Sequence, residues 1–353
     1  MNMENASFNS VDLPKHVPIA VSTRGGYPEN VFYGSVAVVD RAGKLIASIG
    51  DVDAPIFTRS ALKPFQALPL VANPRFAEYG LTPNEIALLC SSHNGEAIHA
   101  ETAQRLLAKI GLTDAALQCG SHTPYWYKWN NQHPEEGKRW SAYFHNCSGK
   151  HSGMLLQAKL LAVSTETYLE PENVVQKLIR DAVAYATGAR DPAAMPWGTD
   201  GCSAPNFAVP LRGLAQAFAW LSSTDDDARY FSAPRKLFEA MAAHPEMVSG
   251  AGRNDLALSA AGRGDWASKV GADGVQTLAS RSRGIGIAAK LSNGNGDALM
   301  VAFCDVLEQL NMLDEEARAV LAPWASHSIK SVRGIEVGRL QPYLTLNSYA
   351  LHV

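Results

Sequence analysis

The sequence has no run of five like charges and no long apolar segment. Its 31 basic and 34 acidic side chains leave a formal net charge of −3 over 353 residues. Proteins that bind nucleic acid through its phosphates usually carry clustered Lys and Arg, so this balance argues against a nucleic-acid partner. No stretch approaches the roughly 18 apolar residues that cross a bilayer. We therefore expect a protein without a membrane segment.

The sequence also lacks a secretory signal. Residues 1–16 are polar, without a basic start or an apolar core region, and are expected to form a loose tail. Cysteine is scarce, odd in number and scattered, which excludes a disulfide framework and favours the reducing cytoplasm. The five are Cys90, Cys119, Cys147, Cys202 and Cys304. The apolar share of 46% is ample for a buried core.

Strand patterns occupy both ends of the chain. An antiparallel meander is predicted over residues 17–56, and strand signals return at 275–280, 284–290, 298–303 and 335–338. Helical periodicity predicts helices at 65–71, 101–110, 153–161, 173–185 and 211–221. The apolar run 86–89 resembles a strand, and the polar, aromatic segment 125–141 resembles a long loop.

These elements predict an α/β (α+β) protein with an antiparallel sheet built from both chain ends. Residues 17–59 and 269–353 would form the sheet-containing part, and residues 60–268 a helix-rich insertion. A cleft is expected where the two parts meet.

Three short motifs point to serine chemistry. Ser60 and Lys63 lie three residues apart and would share one face of a helical turn, so the amine can meet the hydroxyl. Ser92 begins an S-x-N run and Lys269 a K-x-G run, which completes the motif order of β-lactamases and penicillin-binding proteins. The spacing differs from that class. Taken alone, the first motif also fits an N-cap serine followed by a solvated lysine.

Two cysteines lie in glycine-rich polar loops. Cys147 and Cys202 could bind Zn²⁺ as thiolates, with Lys150 or His151 as a third ligand. The alternative is a pair of buried free thiols, because paired C-x-x-C units are missing and a lysine ligand must lose its proton. Arg253 lies in a polar loop and could bind a substrate carboxylate, or it could be the structural arginine of a surface turn.

Six motifs in order resemble the L-asparaginase II family, the class 3 or rhizobial-type L-asparaginases. They are TRSALKP at 58–64, SSHNGE at 91–96, NCSGKHSG at 146–153, DGCSAP at 200–205, the run from HP to G at 244–252, and KVGADG at 269–274. The resemblance extends over nearly the whole chain from residue 17. It implies a fold similar to serine β-lactamases and glutaminases, a homodimer, and a zinc ion beside two Ser–Lys tandems.

The resemblance also implies roles for individual residues. The tandems would be Ser60 with Lys63 and Ser92 with Lys269, and the metal ligands Cys147, Lys150 and Cys202. Asp200, His151 and Arg253 are candidates for substrate binding.

The expected reaction is hydrolysis of the side-chain amide of L-asparagine. Ser60, deprotonated by Lys63, would attack the amide, while Ser92 and Lys269 relay protons to ammonia and from water. Three alternatives stay open. They are a β-lactamase or penicillin-binding-like serine hydrolase, a glutaminase, and a non-catalytic amino-acid-binding protein.

Overall fold

A computed structural model describes residues 13–349 of the chain. Of the tail predicted for residues 1–16, residues 1–12 lie outside the described residues. Residues 350–353 of the predicted sheet-containing part also lie outside them. Within the described range, no helix is long and apolar enough to cross a membrane.

The described chain contains twelve strands and twelve α-helices. The strands are β1 (Val17–Arg24), β2 (Tyr27–Asp40), β3 (Leu45–Ile49), β4 (Pro55–Phe57), β5 (Trp197–Thr199), β6 (Pro205–Pro210), β7 (Trp266–Gly271), β8 (Val275–Ser280), β9 (Ile285–Leu291), β10 (His327–Lys330), β11 (Glu336–Pro342) and β12 (Asn347–Ser348). The helices are α1 (Lys63–Val71), α2 (Pro83–Leu89), α3 (Ala97–Ala108), α4 (Tyr125–Trp129), α5 (Ser148–Leu160), α6 (Val174–Thr187), α7 (Leu211–Leu221), α8 (Ala233–Ala243), α9 (Pro245–Val248), α10 (Asn254–Ala261), α11 (Gly296–Gln309) and α12 (Glu315–Ala325).

The main sheet is made from both ends of the chain, which confirms the predicted fold class. Its order is β10-β11-β1-β2-β9-β8-β7, with β3 paired to β2 and β12 paired to β3. Every pairing within it is antiparallel. The long β2 joins the two ends, since Val31 lies opposite Val21 of β1 and Ala37 lies opposite Ala288 of β9.

Both faces of this sheet are buried along β7, β8, β9 and the second half of β2. Successive side chains of a strand point to opposite faces, and along β2 the small and β-branched residues divide accordingly. Val36 and Val38 pack in a cluster with α11, whereas Ala37 and Val39 pack with the helices of the central part of the chain. A sheet covered on both sides in this way leaves the ends and edges of its strands for functional groups.

A second, three-stranded sheet of order β4-β6-β5 lies in the central part of the chain. Ile56 of β4 pairs with Val209 of β6, and Phe57 pairs with Ala208. Directly after β4 the chain enters the 3₁₀ turn Arg59–Leu62 and then α1. The small sheet thus fixes the point at which the Ser60 motif begins.

The five predicted helices occur as α1, α3, α5, α6 and α7, with ends shifted by a few residues. Two predicted strands are wrong. Residues 86–89 belong to α2 and residues 298–303 to α11. Short apolar runs fit a buried helix as well as a strand, and both helices begin at polar caps upstream of the run, at Thr82 and Asn295.

The segment predicted as a long loop, residues 125–141, begins with the short helix α4. The boundaries predicted for the two parts, residues 17–59 with 269–353 and residues 60–268, stay a prediction.

Candidate active site

Lys63 is the first residue of α1, and its amine is completely buried. The Nζ atom lies 2.9 Å from Ser92 Oγ and donates to the carbonyl oxygens of Ser91 and, at 3.4 Å, of Asn146. An ammonium has three N–H donors, so three oxygen acceptors satisfy it. Among the described residues the hydroxyl that Lys63 bonds is that of Ser92, and no hydrogen bond joins Lys63 to Ser60.

Ser92 lies in the loop between α2 and α3. Its backbone N–H donates to the carbonyl of Val248 at 2.8 Å, and the N–H of Asn94 donates to that of Ser249 at 2.8 Å. These bonds tie the loop to the end of α9. The hydroxyl of Ser92 thereby has a fixed position against the amine of Lys63.

Lys269 is buried in β7, opposite Thr277 of β8. Its Nζ donates to the Val270 carbonyl at 2.7 Å and lies 3.6 Å from Asp255 Oδ2. The pKa of Lys269 is lowered to about 7, chiefly by burial; Asp255 acts in the opposite direction, and the charges of Lys63 and Arg253 add to the lowering. Near neutral pH the amine of Lys269 can therefore be uncharged and able to accept a proton.

A cavity of about 250 Å³ opens above these groups. Both Ser60 and Ser92 line it, and so does Arg253. The remaining lining residues are Tyr125, Lys128, Trp129, Asn146, Val270, Gly271 and Ala272. The cavity has room for a small polar molecule that could meet two hydroxyls and the guanidinium of Arg253.

Arg253 is the buried cation of this cavity, whereas Lys128 is exposed. Its Nη1 donates to Asn94 Oδ1 at 3.1 Å and to the Ser92 carbonyl at 3.4 Å. The guanidinium carbon lies 5.0 Å from the ring centre of Trp129 and 6.0 Å from that of Tyr125. The buried Nε atom has no hydrogen-bond partner within residues 13–349. Arg253 thus keeps donor capacity for a ligand.

Asp200, the second candidate for substrate binding, lies outside the small cavity. It accepts a hydrogen bond from Nε of Arg59 at 2.8 Å and lines a larger cavity of about 700 Å³. Burial alone would raise the pKa of Asp200, but Lys150 and Arg59 lower it below its ordinary value. Arg59 also contacts Asp273, so its guanidinium joins two loops.

The proposed metal ligands come together in one buried cluster. Lys150 Nζ lies 2.8 Å from Cys202 Sγ. A hydrogen bond from Cys202, and then the amines of Lys63 and Lys150, hold the pKa of Cys147 well below its ordinary value despite burial. The sulfur and nitrogen donors that zinc favours are therefore assembled beside the amine of Lys63.

His151, the third candidate for substrate binding, is completely buried beside this cluster. Its Nδ1 lies 2.6 Å from the hydroxyl of Tyr168, and its Nε2 has no hydrogen-bond partner among the described residues. Burial lowers the pKa of His151 to about 4, so the ring is neutral. No group of three or more His, Cys, Asp or Glu side chains in the described range could hold a metal ion. A metal here would therefore need the nitrogen of Lys150.

Sequence reasoning missed several residues of the site. Asp255 beside Lys269 and Asn206 beside Arg59 carried no motif of their own, although Asp255 falls in the polar loop that suggested Arg253. Tyr125 and Trp129 belong to the aromatic segment 125–141. The polarity and aromatic content of these two segments were the available signals.

A family model described as L-asparaginase II matches residues 20–342 of the chain. No curated protein matches it. Among solved structures the chain is similar to Mglu in its native form, with 14% identity, a TM-score of 0.46, and 80% of this chain and 65% of Mglu covered. It thus spans just under two thirds of the length of Mglu.

The chain is also similar to the solved structures of a β-lactamase from Mycobacterium bovis and of a putative β-lactamase from Bacteroides dorei. The first match has 14% identity and a TM-score of 0.38, and it includes 83% of this chain and 95% of the β-lactamase. The second match has 13% identity and a TM-score of 0.41, and it includes 74% of this chain and 86% of the putative β-lactamase. Scores this low support no argument about what this chain does.

The amine of Lys269 is expected to titrate near pH 7. Because the unfolded chain holds this proton up to about pH 10.5, the group makes the free energy of unfolding rise with pH between about 7 and 10.5. The substitution Asp255→Asn removes the charge that raises the pKa of Lys269, and should lower it further. Lysine-selective ¹³C NMR titration measures both values.

Asp53→Asn is the matched control for this experiment. Asp53 pairs with Arg212 at the surface, and both side chains are more than half exposed. The control should leave the titration of Lys269 unchanged. A Lys269 amine that titrates near 10 in the unsubstituted protein would show that it stays charged at neutral pH.

Proposed function

Because the chain belongs to the L-asparaginase II family, a family of amidohydrolases, we propose that it hydrolyses the side-chain amide of L-asparagine to L-aspartate and ammonia through an ester on Ser60. The observation that carries the proposal is the cavity of about 250 Å³ into which Ser60, Ser92 and Arg253 all face. Two buried lysines lie at the same site. The family match over residues 20–342 supplies the reaction type.

In the proposed first step, the Oγ of Ser60 attacks the amide carbon of the substrate and its proton passes to the buried amines. Burial and the nearby charge of Lys63 lower the pKa of Lys269 to about 7. Lys269 is therefore the proposed base. Lys63 lies 2.9 Å from the hydroxyl of Ser92 and orients it.

The C–N bond then breaks, and ammonia leaves with a proton returned by the same amines. In the second step a water molecule attacks the aspartyl ester, the C–O bond to Ser60 breaks, and L-aspartate is released. Ser92, held 2.9 Å from Lys63, is the proposed relay for the proton in both steps. Lysines that alternate between neutral and charged forms can serve as base and then as acid.

Arg253 is the proposed partner of the substrate's α-carboxylate. Its guanidinium is nearly buried, faces the cavity, and retains an unpaired Nε. Guanidinium and carboxylate form paired, charge-assisted hydrogen bonds. Because Arg253 also donates to the carbonyl of Ser92, a substrate bound to it would lie next to the serine loop.

Zinc is the proposed metal of the cysteine cluster, with Cys147, Lys150 and Cys202 as ligands. Two buried thiols are ligands that zinc favours, and the buried Nε2 of His151 nearby is unpaired. The amine of Lys150, 2.8 Å from Cys202 Sγ, would bind the ion after losing its proton. When bound, zinc would supply positive charge beside the cavity. Homodimer formation and a cytoplasmic location complete the proposal, and both are taken from the sequence.

Ammonia release tests the proposed reaction. L-Asparagine should be turned over, and Ser60→Ala should lower kcat by roughly 10³-fold or more because the nucleophile is lost. L-Glutamine and a chromogenic cephalosporin are assayed in parallel. Mass spectrometry of quenched Ser92→Ala protein should find the aspartyl ester on Ser60.

Ser222→Ala is the matched control, because this buried hydroxyl bonds the Ala219 carbonyl at the end of α7, away from the cavity. It should keep the wild-type kcat. An ester on Ser92 in the Ser60→Ala protein would reverse the assignment of the nucleophile. Absence of ammonia from asparagine would end the proposed activity, and rapid cephalosporin hydrolysis would favour a β-lactamase.

Replacing Arg253 should weaken substrate binding more than it slows chemistry. Arg253→Met removes the charge, and KM for L-asparagine should rise by roughly 10- to 100-fold, as expected for loss of a charge-assisted hydrogen bond. A substrate without the α-carboxylate, 3-aminopropanamide, should lose little from the same change. Arg212→Met, at an exposed ion pair, is the control, and an equal loss on both substrates would contradict the assignment.

Metal analysis tests the zinc site. We expect about one zinc per chain after purification in the presence of the metal, and its loss from Cys147→Ser and Cys202→Ser proteins. Cys304→Ser is the matched control, since Cys304 is an equally buried free thiol in α11. Chelation should lower the melting temperatures of the wild type and of Cys304→Ser, and it should leave those of Cys147→Ser and Cys202→Ser unchanged. Equal metal content in all four proteins would refute the site.

A further inference from the structure

Arg59, the residue before Ser60, has an unusual backbone conformation. Its φ angle is +49°, in the left-handed region that residues other than glycine rarely adopt. This conformation turns the chain out of β4 and into the 3₁₀ turn that carries Ser60. The direction of that turn sets where the Ser60 hydroxyl points.

The side chain of Asn206 holds the backbone of Arg59 from both sides. Its Oδ1 accepts a hydrogen bond from the Arg59 N–H at 3.1 Å, and its Nδ2 donates to the Arg59 carbonyl at 3.0 Å. Asn206 is buried in β6. One amide thus satisfies both polar groups of a single residue that is 147 positions away in the sequence.

These two hydrogen bonds take the place of backbone hydrogen bonds between β4 and β6. The β4–β6 ladder ends where Phe57 pairs with Ala208, and the N–H of Thr58 still donates to the carbonyl of Phe207 at 3.3 Å. At the next residue an extended chain would continue the ladder through backbone groups. The side chain of Asn206 takes their place, which leaves Arg59 free to adopt φ +49° without losing its hydrogen bonds.

The opposite side of the turn is closely packed. A Cβ atom on Gly271 of β7 would lie 2.6 Å from the carbonyl oxygen of Thr58. Arg59 itself is bonded through its side chain to Asp200 and Asp273. The turn therefore has little room to shift toward β7, and the side held by Asn206 decides its conformation.

We propose that Asn206 is a positioning residue, which locks Arg59 in the left-handed conformation and thereby aims the Ser60 hydroxyl into the cavity. This inference rests on the proposed role of Ser60 as the nucleophile. Without the amide, Arg59 returns to an extended conformation and Ser60 is displaced. A displacement of about 1 Å at a reacting atom lowers a rate by up to about 10²-fold.

Two substitutions separate positioning from simple stability. Asn206→Ala removes both hydrogen bonds, and kcat for ammonia release from L-asparagine should fall by roughly 10- to 100-fold. KM should stay within about threefold, because Arg253 is untouched. Asn206→Asp keeps the acceptor for the Arg59 N–H and loses the donor, so its kcat should lie between that of the wild type and that of Asn206→Ala. If Asn206→Ala fails to fold, Asn206→Asp still tests the proposal.

Asn173→Ala is the matched control, since Asn173 accepts from the N–H of Val175 at the start of α6, far from the site in sequence. It should lower the melting temperature and leave kcat unchanged. The same pattern in Asn206→Ala, a lower melting temperature with kcat per folded molecule within twofold of wild type, would overturn the proposal and leave Asn206 a structural residue.

A crystal structure of Asn206→Ala gives a readout that does not depend on activity. Arg59 is expected at negative φ with the Ser60 Oγ displaced, and an unchanged φ would overturn the inference. If the wild type released no ammonia from asparagine, the proposed function would fail. The crystal structure of Asn206→Ala would still show whether Asn206 determines the conformation of Arg59. Turnover that needs Ser60 but ignores Asn206 would refute only the positioning role.

Discussion

The site depends on the burial of two lysine amines within reach of each other's charge. Moving one charge out of water is costly, and moving two of the same sign is worse. The surroundings that offset the cost of burial differ between the two amines. Lys63 is surrounded by three oxygen acceptors, whereas Lys269 has one carboxylate at 3.6 Å and a pKa of about 7. The amine of Lys63 is thereby held in place by its hydrogen bonds, and the amine of Lys269 is able to change its charge near neutral pH.

This arrangement explains why the fold must bring distant segments together. Lys63 begins α1, Ser92 follows α2, Lys269 lies in β7, and Asp255 lies in α10. The carboxylate of Asp255 also accepts from the N–H of Val270 at 2.9 Å, so it holds the strand as well as the amine. A sheet made from both chain ends is what places β7 against the 3₁₀ turn that leads into α1.

The sequence predicted those parts of the structure that local patterns determine. Helices with a clear period, such as α6, could be identified from the chain alone, and short motifs made Ser60, Lys63, Ser92 and Lys269 candidates for the site. Residues 86–89 and 298–303 could not be assigned correctly, because a short apolar run has no period long enough to separate helix from strand. The pairing of Lys63 with Ser92, and of Asn206 with Arg59, joins residues 29 and 147 positions apart. Contacts of that range leave no local pattern in one sequence.

Arg59 links the Ser60 motif to the loop that carries Asp200, two regions far apart in the sequence. Its backbone leads to Ser60, while its guanidinium bonds Asp200, whose carboxylate is stabilised by Lys150 of the cysteine cluster. A left-handed residue other than glycine costs about 1–3 kcal/mol and persists only where its surroundings determine it. Here the surroundings include a buried amide and two carboxylates. The strain at Arg59 is therefore sustained by the amide of Asn206 and by the carboxylate of Asp200, and the charge of Lys150 beside the thiols helps to keep that carboxylate ionised.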